Sequence, residues 1–125
     1  MAELILLVHS DPDFSSELSS ALGDAGYEVI VFADSMAAID ALDAARRPDM
    51  LITRTRFSDG TPQGPALARM ARVKCPGIKV IITGRPELAE HAEDIGLFFP
   101  HPVNVPALLE AVHQLLGVRS LPAAG

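Results

Sequence analysis

The sequence predicts an open, doubly wound α/β domain: five parallel strands in the order 2-1-3-4-5, with helices on both faces. Three observations carry this reading. Short apolar runs of strand length alternate with segments whose apolar residues recur at helical spacing. The first run, Leu4 to Val8, is apolar throughout, as in a strand covered on both faces. Strands joined in turn by helices form right-handed βαβ units, and such units build a parallel sheet. The 125 residues suit one domain, and a hydrophobic fraction of 49% can supply its core.

After the Leu4–Val8 strand, Asp13 is placed to cap a helix whose Phe14, Leu18 and Leu22 share one face, with Gly23 and Gly26 marking its end. Glu28 to Phe32 is a second, β-branched run. Asp34 or Ser35 caps the next helix, which turns Met36, Ile39 and Leu42 inward and stops at Arg46-Arg47-Pro48. Met50 to Thr53 forms the third strand, and the turn formers Ser58 to Gly64 form a loop. Pro65 opens a helix running to about Lys74, which Cys75-Pro76 ends. Ile78 to Thr83 is the fourth strand. Pro86 opens a short, more polar helix reaching about Asp94, and Leu97-Phe98-Phe99 is the fifth strand. Asn104 caps a last helix that buries Leu108, Val112 and Leu115 or Leu116. The domain spans residues 1–119 and residues 120–125 form a tail. This is the flavodoxin-like arrangement, in which ligands sit beyond the carboxyl ends of the strands where the strand order switches.

Composition removes several functional classes. A net charge of −6 argues against a nucleic-acid or anionic-membrane surface. With no Trp and a single Tyr, an aromatic cage or base-stacking platform is not expected. Cys75 is the one cysteine and has no partner for an internal disulfide. Leu4 to Val8 follows Glu3 and is too short for a signal sequence, and no apolar run approaches the roughly 20 residues that span a bilayer. The expectation is a cytoplasmic protein.

The strand ends therefore decide the function. Strand 1 ends in Val8-His9-Ser10-Asp11-Pro12, strand 3 in Ile52-Thr53-Arg54-Thr55-Arg56, and strand 4 in Ile82-Thr83-Gly84. Strand 5 leads into Pro100-His101-Pro102-Val103. Ala25-Gly26-Tyr27-Glu28-Val29 precedes the second strand, Arg47-Pro48-Asp49-Met50 the third, and Phe98-Phe99-Pro100-His101-Pro102 closes the series. In this order, and along nearly the whole chain, these features resemble a response-regulator receiver domain of two-component signalling. The resemblance implies an acidic pair after strand 1 that holds Mg²⁺ and an Asp after strand 3 that accepts a phosphoryl group. It also implies a Thr or Ser after strand 4 and a Lys after strand 5 on the phosphoryl oxygens. The chemistry needs them because a carboxylate must approach an anionic donor, and a hard cation screens the repulsion.

Carried onto this sequence, the acidic pair falls on His9 and Ser10, and the acceptor falls on Arg54. The hydroxyl is Thr83, the Lys position holds His101, and the switch aromatic is Phe98 without a hydroxyl. Asp11 is the one carboxylate near the expected metal position. The loop after strand 3 is longer than the common pattern and lacks its Met-Pro-Gly. An Arg guanidinium stays protonated and is no nucleophile, and two His with one Arg repel a divalent cation.

The expectation is thus a pseudo-receiver: a protein-interaction module independent of phosphorylation, with no enzyme activity, cofactor or metal. Its partner would be a signalling kinase, a regulator or an output protein, with a second copy of the chain as a further candidate. The face expected to meet it comprises Leu88, Ala89, Ala92, Phe99, Val105 and Ala111, with His113 at its margin. Asp11 is expected to pair with Arg54, and Arg54 either fills the place of metal and phosphoryl group or merely reaches water. The alternative function is an anion or small-ligand sensor built on His9, Arg54 and His101. Weaker readings are a metal site of His9, His101 and Asp11, a Ser10–His nucleophile lacking the Gly-x-Ser-x-Gly turn, and a displaced phosphoacceptor at Asp11 or Asp59. His91, His113, Arg69 and Arg72 are expected in solvent, and Cys75 as a structural residue.

Overall fold

Every residue of β1 (Leu4–Val8) is buried, because the strand lies inside the sheet with helices on both sides. The structure, a computed structural model, describes residues 2–43, 47–57, 60–92 and 95–117, with the backbone alone at 91 and 92. The elements alternate in chain order: α1 (Pro12–Asp24), β2 (Glu28–Phe32), α2 (Ser35–Leu42), β3 (Met50–Arg54), α3 (Gly64–Lys74) and β4 (Lys79–Gly84). A 3₁₀ turn (Pro86–Leu88) then leads into α4 (Ala89–Ala92), followed by β5 (Leu97–Pro100) and α5 (Val105–Leu116). All strands are parallel and ordered β2-β1-β3-β4-β5, the flavodoxin-like arrangement predicted from the alternation.

The pleat divides the sheet's side chains between two cores. Leu6, Val8, Leu51, Val80 and Ile82 pack with Ala38 and Leu42 of α2 and with Leu67, Ala68 and Ala71 of α3. Ile5, Leu7, Met50, Ile52 and Ile81 pack with Leu18 and Leu22 of α1 and with Leu108 and Val112 of α5. Each of these large side chains contributes about 1.5–3 kcal/mol by leaving water. Cys75 is buried in the first core, a structural position as expected.

Several local expectations are corrected. The cap of α1 is Asp11 and not Asp13: its Oδ1 accepts from the backbone N–H groups of Asp13 at 3.0 Å and Phe14 at 3.4 Å. Pro12 explains the earlier start, since its fixed φ and missing N–H suit the first helical position. Asp34 caps α2 through Ala37 N–H at 2.9 Å. Met36, however, is 54% exposed, and the buried stripe is Ser35, Ala38 and Leu42 with Ile39 half-buried. Six positions before Leu42 is about 120° around the helix, so Met36 points away from the sheet.

Asn104 caps α5 as predicted, through Ala107 N–H at 3.0 Å. Its buried stripe holds Ala111 beside Leu108 and Val112, so Ala111 is interior and not part of an interaction face. Three positions from Leu108 and next to Val112, it cannot avoid the core side of the helix. Leu115 and Leu116 are both half-buried. His113 is not simply solvated: its Nδ1 lies 2.8 Å from the Tyr27 hydroxyl, tying α5 to the start of β2. Arg69 and Arg72 are exposed as expected. The expectations for the side chains of His91 and Ala92, and for Arg46, Asp59, Asp94 and the 120–125 tail, lie outside the described residues. None of the described helices is long and apolar enough to cross a membrane.

Candidate functional site

Sheet register brings the strand ends together. Val8 lies opposite Thr53, Arg54 opposite Thr83, and Thr83 opposite Phe99. One residue beyond β1, His9 still follows the ladder, donating its N–H to Phe32 O at 3.0 Å. His9, Arg54 and Thr83 therefore form a row across three neighbouring strands. Each stands two residues after Leu7, Ile52 or Ile81, so the pleat turns all three toward the α1–α5 face. The row is tightly backed. A Cβ on Gly64 would meet the Arg54 carbonyl oxygen at 1.9 Å, and one on Gly84 would meet Thr55 Oγ1 at 2.2 Å.

His9 is only 4% exposed. Its ring packs against Phe14, with centroids 4.6 Å apart, and lies 5.8 Å from the ring of His101. Nδ1 accepts the backbone N–H of Asp11 at 3.2 Å, so the neutral ring carries its proton on Nε2. That Nε2 is buried without a hydrogen-bond partner. Burial is the main reason the ring's pKa falls to about 4, helped by the charges of Arg54 and His101 and opposed by Asp11. His101 is lowered too, first by burial and then by Arg54. Its N–H donates to Gly84 O at 2.7 Å, which holds the end of β5 against β4, and the following His101–Pro102 peptide is cis.

Arg54 donates from Nη1 to Ser10 Oγ at 2.6 Å, while its Nε is buried and unpartnered. This corrects the expected Asp11–Arg54 ion pair. Asp11 stands where the chain turns into α1, and its carboxylate is engaged by the first amides of that helix. Thr83 is fully buried, and its Oγ1 also lacks a partner. Phe98 is half-buried on the opposite face of the sheet, in register with Ile82, while Phe99 shares the face of the row.

Three cavities meet at Arg54, the smallest of them, about 230 Å³, lying toward Ser10, Asp34 and Phe57. One of about 330 Å³ is lined by His9, Asp11, Phe14, Arg54, His101, Pro102 and Val103. Another, about 460 Å³, runs past Thr55, Arg56, Gly84, Arg85, Glu87 and Leu88. Arg56 and Arg85 were not singled out from the sequence. Their signal was position, since Arg85 directly follows the end of β4 and Arg56 stands two residues past the end of β3. The predicted site residues His9, Ser10, Asp11, Arg54, Thr83 and His101 thus gather at one end of the sheet, and Phe98 lies across it. Of the expected interaction face, Leu88, Ala89, Phe99 and Val105 are half-buried, Phe99 and Val105 against the core shared with α1 and α5.

The chemistry available in the row is that of hydrogen-bond donors around the permanent cation of Arg54, with Arg56 and Arg85 along the neighbouring cavity. Ser10 Oγ receives the guanidinium's bond and no imidazole nitrogen. Among the described residues, no three of His, Cys, Asp or Glu gather as a metal cluster.

No protein-family model matches the chain, and no curated protein matches it. Solved structures do. A response regulator receiver protein from Sinorhizobium medicae WSM419 is 29% identical, with a TM-score of 0.82 over 95% of this chain and 98% of that one. A CheY-like receiver domain protein from Methanospirillum hungatei JF-1 is 22% identical, with a TM-score of 0.80 over 93% and 94%. The receiver domain of the sensor histidine kinase PA1611 from Pseudomonas aeruginosa PAO1 is 20% identical, with a TM-score of 0.77 over 94% and 100%. The strand order, the row at the strand ends and these likenesses agree: the chain has the receiver-domain fold of two-component signalling proteins.

Proposed function

We propose that this chain is a pseudo-receiver, a protein-interaction module of two-component signalling that works without being phosphorylated. The observation that carries the reading is the 2.6 Å bond from Arg54 Nη1 to Ser10 Oγ. It sets a permanent cation where the reaction needs a nucleophilic carboxylate and joins it to a position where the reaction needs a metal ligand. The PA1611 receiver domain is described with a magnesium ion coordinated in its active site cleft. The donors here do not fit such an ion. His9 offers a buried N–H, Ser10 is held by a guanidinium, and the Asp11 carboxylate caps α1. Signalling would then pass through a protein surface. Leu88, Ala89, Phe99 and Val105 are half-buried residues around β5 that a kinase, a regulator, an output protein or a second copy could cover. The small Ala89 permits close approach of a partner helix.

The test has two arms. Incubation with acetyl phosphate and Mg²⁺ should leave the intact mass unchanged, and an acyl-phosphate adduct on any Asp sinks the reading. For the surface, Ala89→Glu should abolish binding of the cognate partner while Arg54→Ala retains it, with both variants shown to be folded by circular dichroism. Loss of binding in Arg54→Ala alone would place the contact at the strand ends instead.

A further inference from the structure

β2 is an edge of the sheet: it pairs with β1, and among the described residues no strand lies beyond it. The ladder fixes which of its backbone groups turn inward. Glu28 N–H donates to Glu3 O at 2.9 Å, and Phe32 O accepts from His9 N–H at 3.0 Å. Backbone direction alternates along a strand, so the groups of Glu28, Ile30 and Phe32 face β1 and those of Val29 and Val31 face outward. Sheet edges are ordinarily blunted by shortness, Pro, Lys or a bulge. The edge at β5 obeys this, being four residues long and ending in Pro100. β2 does not. Its five residues include no Pro and no Lys, and they keep register with β1 from Glu28 to Phe32 without a bulge. Ile30 on the α2 side and Val31 on the α1 side are each 44% exposed. Beside Val31 lies a cavity of about 500 Å³, lined also by Pro12, Ser16, Ser19 and Ala33.

Charge selects what covers this edge. Nine of the 16 acidic residues fall within residues 1–45, which hold no Lys or Arg, and all ten Lys and Arg come later. Residues 1–45 build β1, α1, β2 and α2, so the β2 side of the domain is strongly acidic while the rest carries a net positive charge. Exposed carboxylates follow the strand along its length: Asp24 ahead of it, Glu28 at its start and Asp34 just past its end. Two copies meeting edge to edge would set one acidic surface against another, whereas a cationic segment is drawn to it. We propose that β2 accepts an extended, basic segment of a partner protein as an added strand. Its backbone bonds to Val29 and Val31, its apolar side chains cover Ile30, Val31 and the adjoining cavity, and its Lys or Arg residues meet the carboxylates. This inference goes beyond the interaction reading and does not require it, because β2 and the surface around β5 are opposite edges of the sheet.

The experiment titrates the intact chain with blocked peptides of strand length, reading affinity by calorimetry and amide hydrogen exchange by NMR. The probes are a peptide of alternating Lys and Val, one of alternating Glu and Val, and the Lys–Val peptide N-methylated at every backbone amide. The Lys–Val peptide should bind saturably and slow exchange at Val29 and Val31, while Ile30, whose N–H faces β1, changes little. Between about 0.1 and 1 M salt the screening length falls from about 10 to 3 Å, and binding should weaken several-fold. Val31→Lys and Ile30→Lys each put a like charge on the edge and should weaken binding about tenfold. Both replace exposed side chains, and circular dichroism confirms their fold; the exchange pattern of the parent tests the proposal without either variant. Unchanged exchange at Val29 and Val31, equal affinity for the Glu–Val or the N-methylated peptide, or undiminished binding by the folded Lys variants overturns the proposal. Protection of Val29 and Val31 without peptide, in a chain that sediments as a dimer, overturns it in favour of a second copy. These outcomes are separate from those of acetyl phosphate and Ala89→Glu, which read the strand ends and the opposite edge.

Discussion

Asp11 donates its backbone N–H to Nδ1 of His9 at 3.2 Å, and so decides which ring nitrogen carries the proton. The same buried ring has a pKa near 4 in the folded chain, below the ordinary value of 6.5 that it regains on unfolding. Between those two values the unfolded chain binds more protons, so stability rises with pH through this window and levels off above about pH 7. From His9 alone, the fold should be about 2 kcal/mol less stable at pH 5 than at pH 7.5. His101 contributes in the same direction. Denaturant melts of the parent and His9→Gln across this range should show the variant with the flatter profile. Identical slopes would mean that His9 is not held neutral.

The Arg54–Ser10 bond leads to a prediction about restoring phosphotransfer. Arg54→Asp alone should remain unphosphorylated by acetyl phosphate, because His9 and Ser10 supply no carboxylate for Mg²⁺. Adding His9→Asp, Ser10→Asp and His101→Lys should recover measurable Mg²⁺ affinity through converging carboxylates. Intact mass and magnesium titration read the two steps, and robust phosphorylation of the single variant would refute this account of the metal site.

Asp11 offers a test of cap against ion pair. As the cap of α1, it should tolerate Asn, which serves equally well, while Ala should cost about 1 kcal/mol. If its charge mattered more through Arg54, Asn and Ala would destabilise alike. Urea melts of the two variants near pH 7.5 decide between these.

Two glycines should respond to the same substitution with opposite signs. Gly23 lies on the exposed side of α1 with nothing within 4 Å of a new Cβ, so Gly23→Ala should stabilise by roughly 0.5–1 kcal/mol. At Gly64 the new methyl would meet the Arg54 carbonyl at the end of β3, backbone that cannot swing aside. Gly64→Ala should cost about 3 kcal/mol, lowering the melting temperature by roughly 10 °C. A neutral Gly64→Ala would show that the junction of β3 and α3 is looser than described.

Much of this molecule is determined by its sequence alone. The unbroken apolar run Leu4 to Val8, the alternation of strands and helices, and the caps at Asp34 and Asn104 suffice for the fold. They act locally, through periodicity, side-chain volume and hydrogen bonds a few residues apart. The cluster of His9, Ser10, Arg54, Thr83 and His101 is legible too, because parallel strand ends converge wherever this topology forms. What only the tertiary structure decided is which atom meets which. Asp11 was free to face Arg54 or the amides of α1, and Pro12 and the start of that helix took it. His113 found the Tyr27 hydroxyl, 86 residues away, only after β2 and α5 were packed. Ala111 and Met36 exchanged the inner and outer positions expected of them because the phase of a helix is set by the sheet beneath it. The unpartnered His9 Nε2, Arg54 Nε and Thr83 Oγ1 are of the same kind, since an unmet hydrogen bond is a property of a packed neighbourhood and of no single residue in the chain.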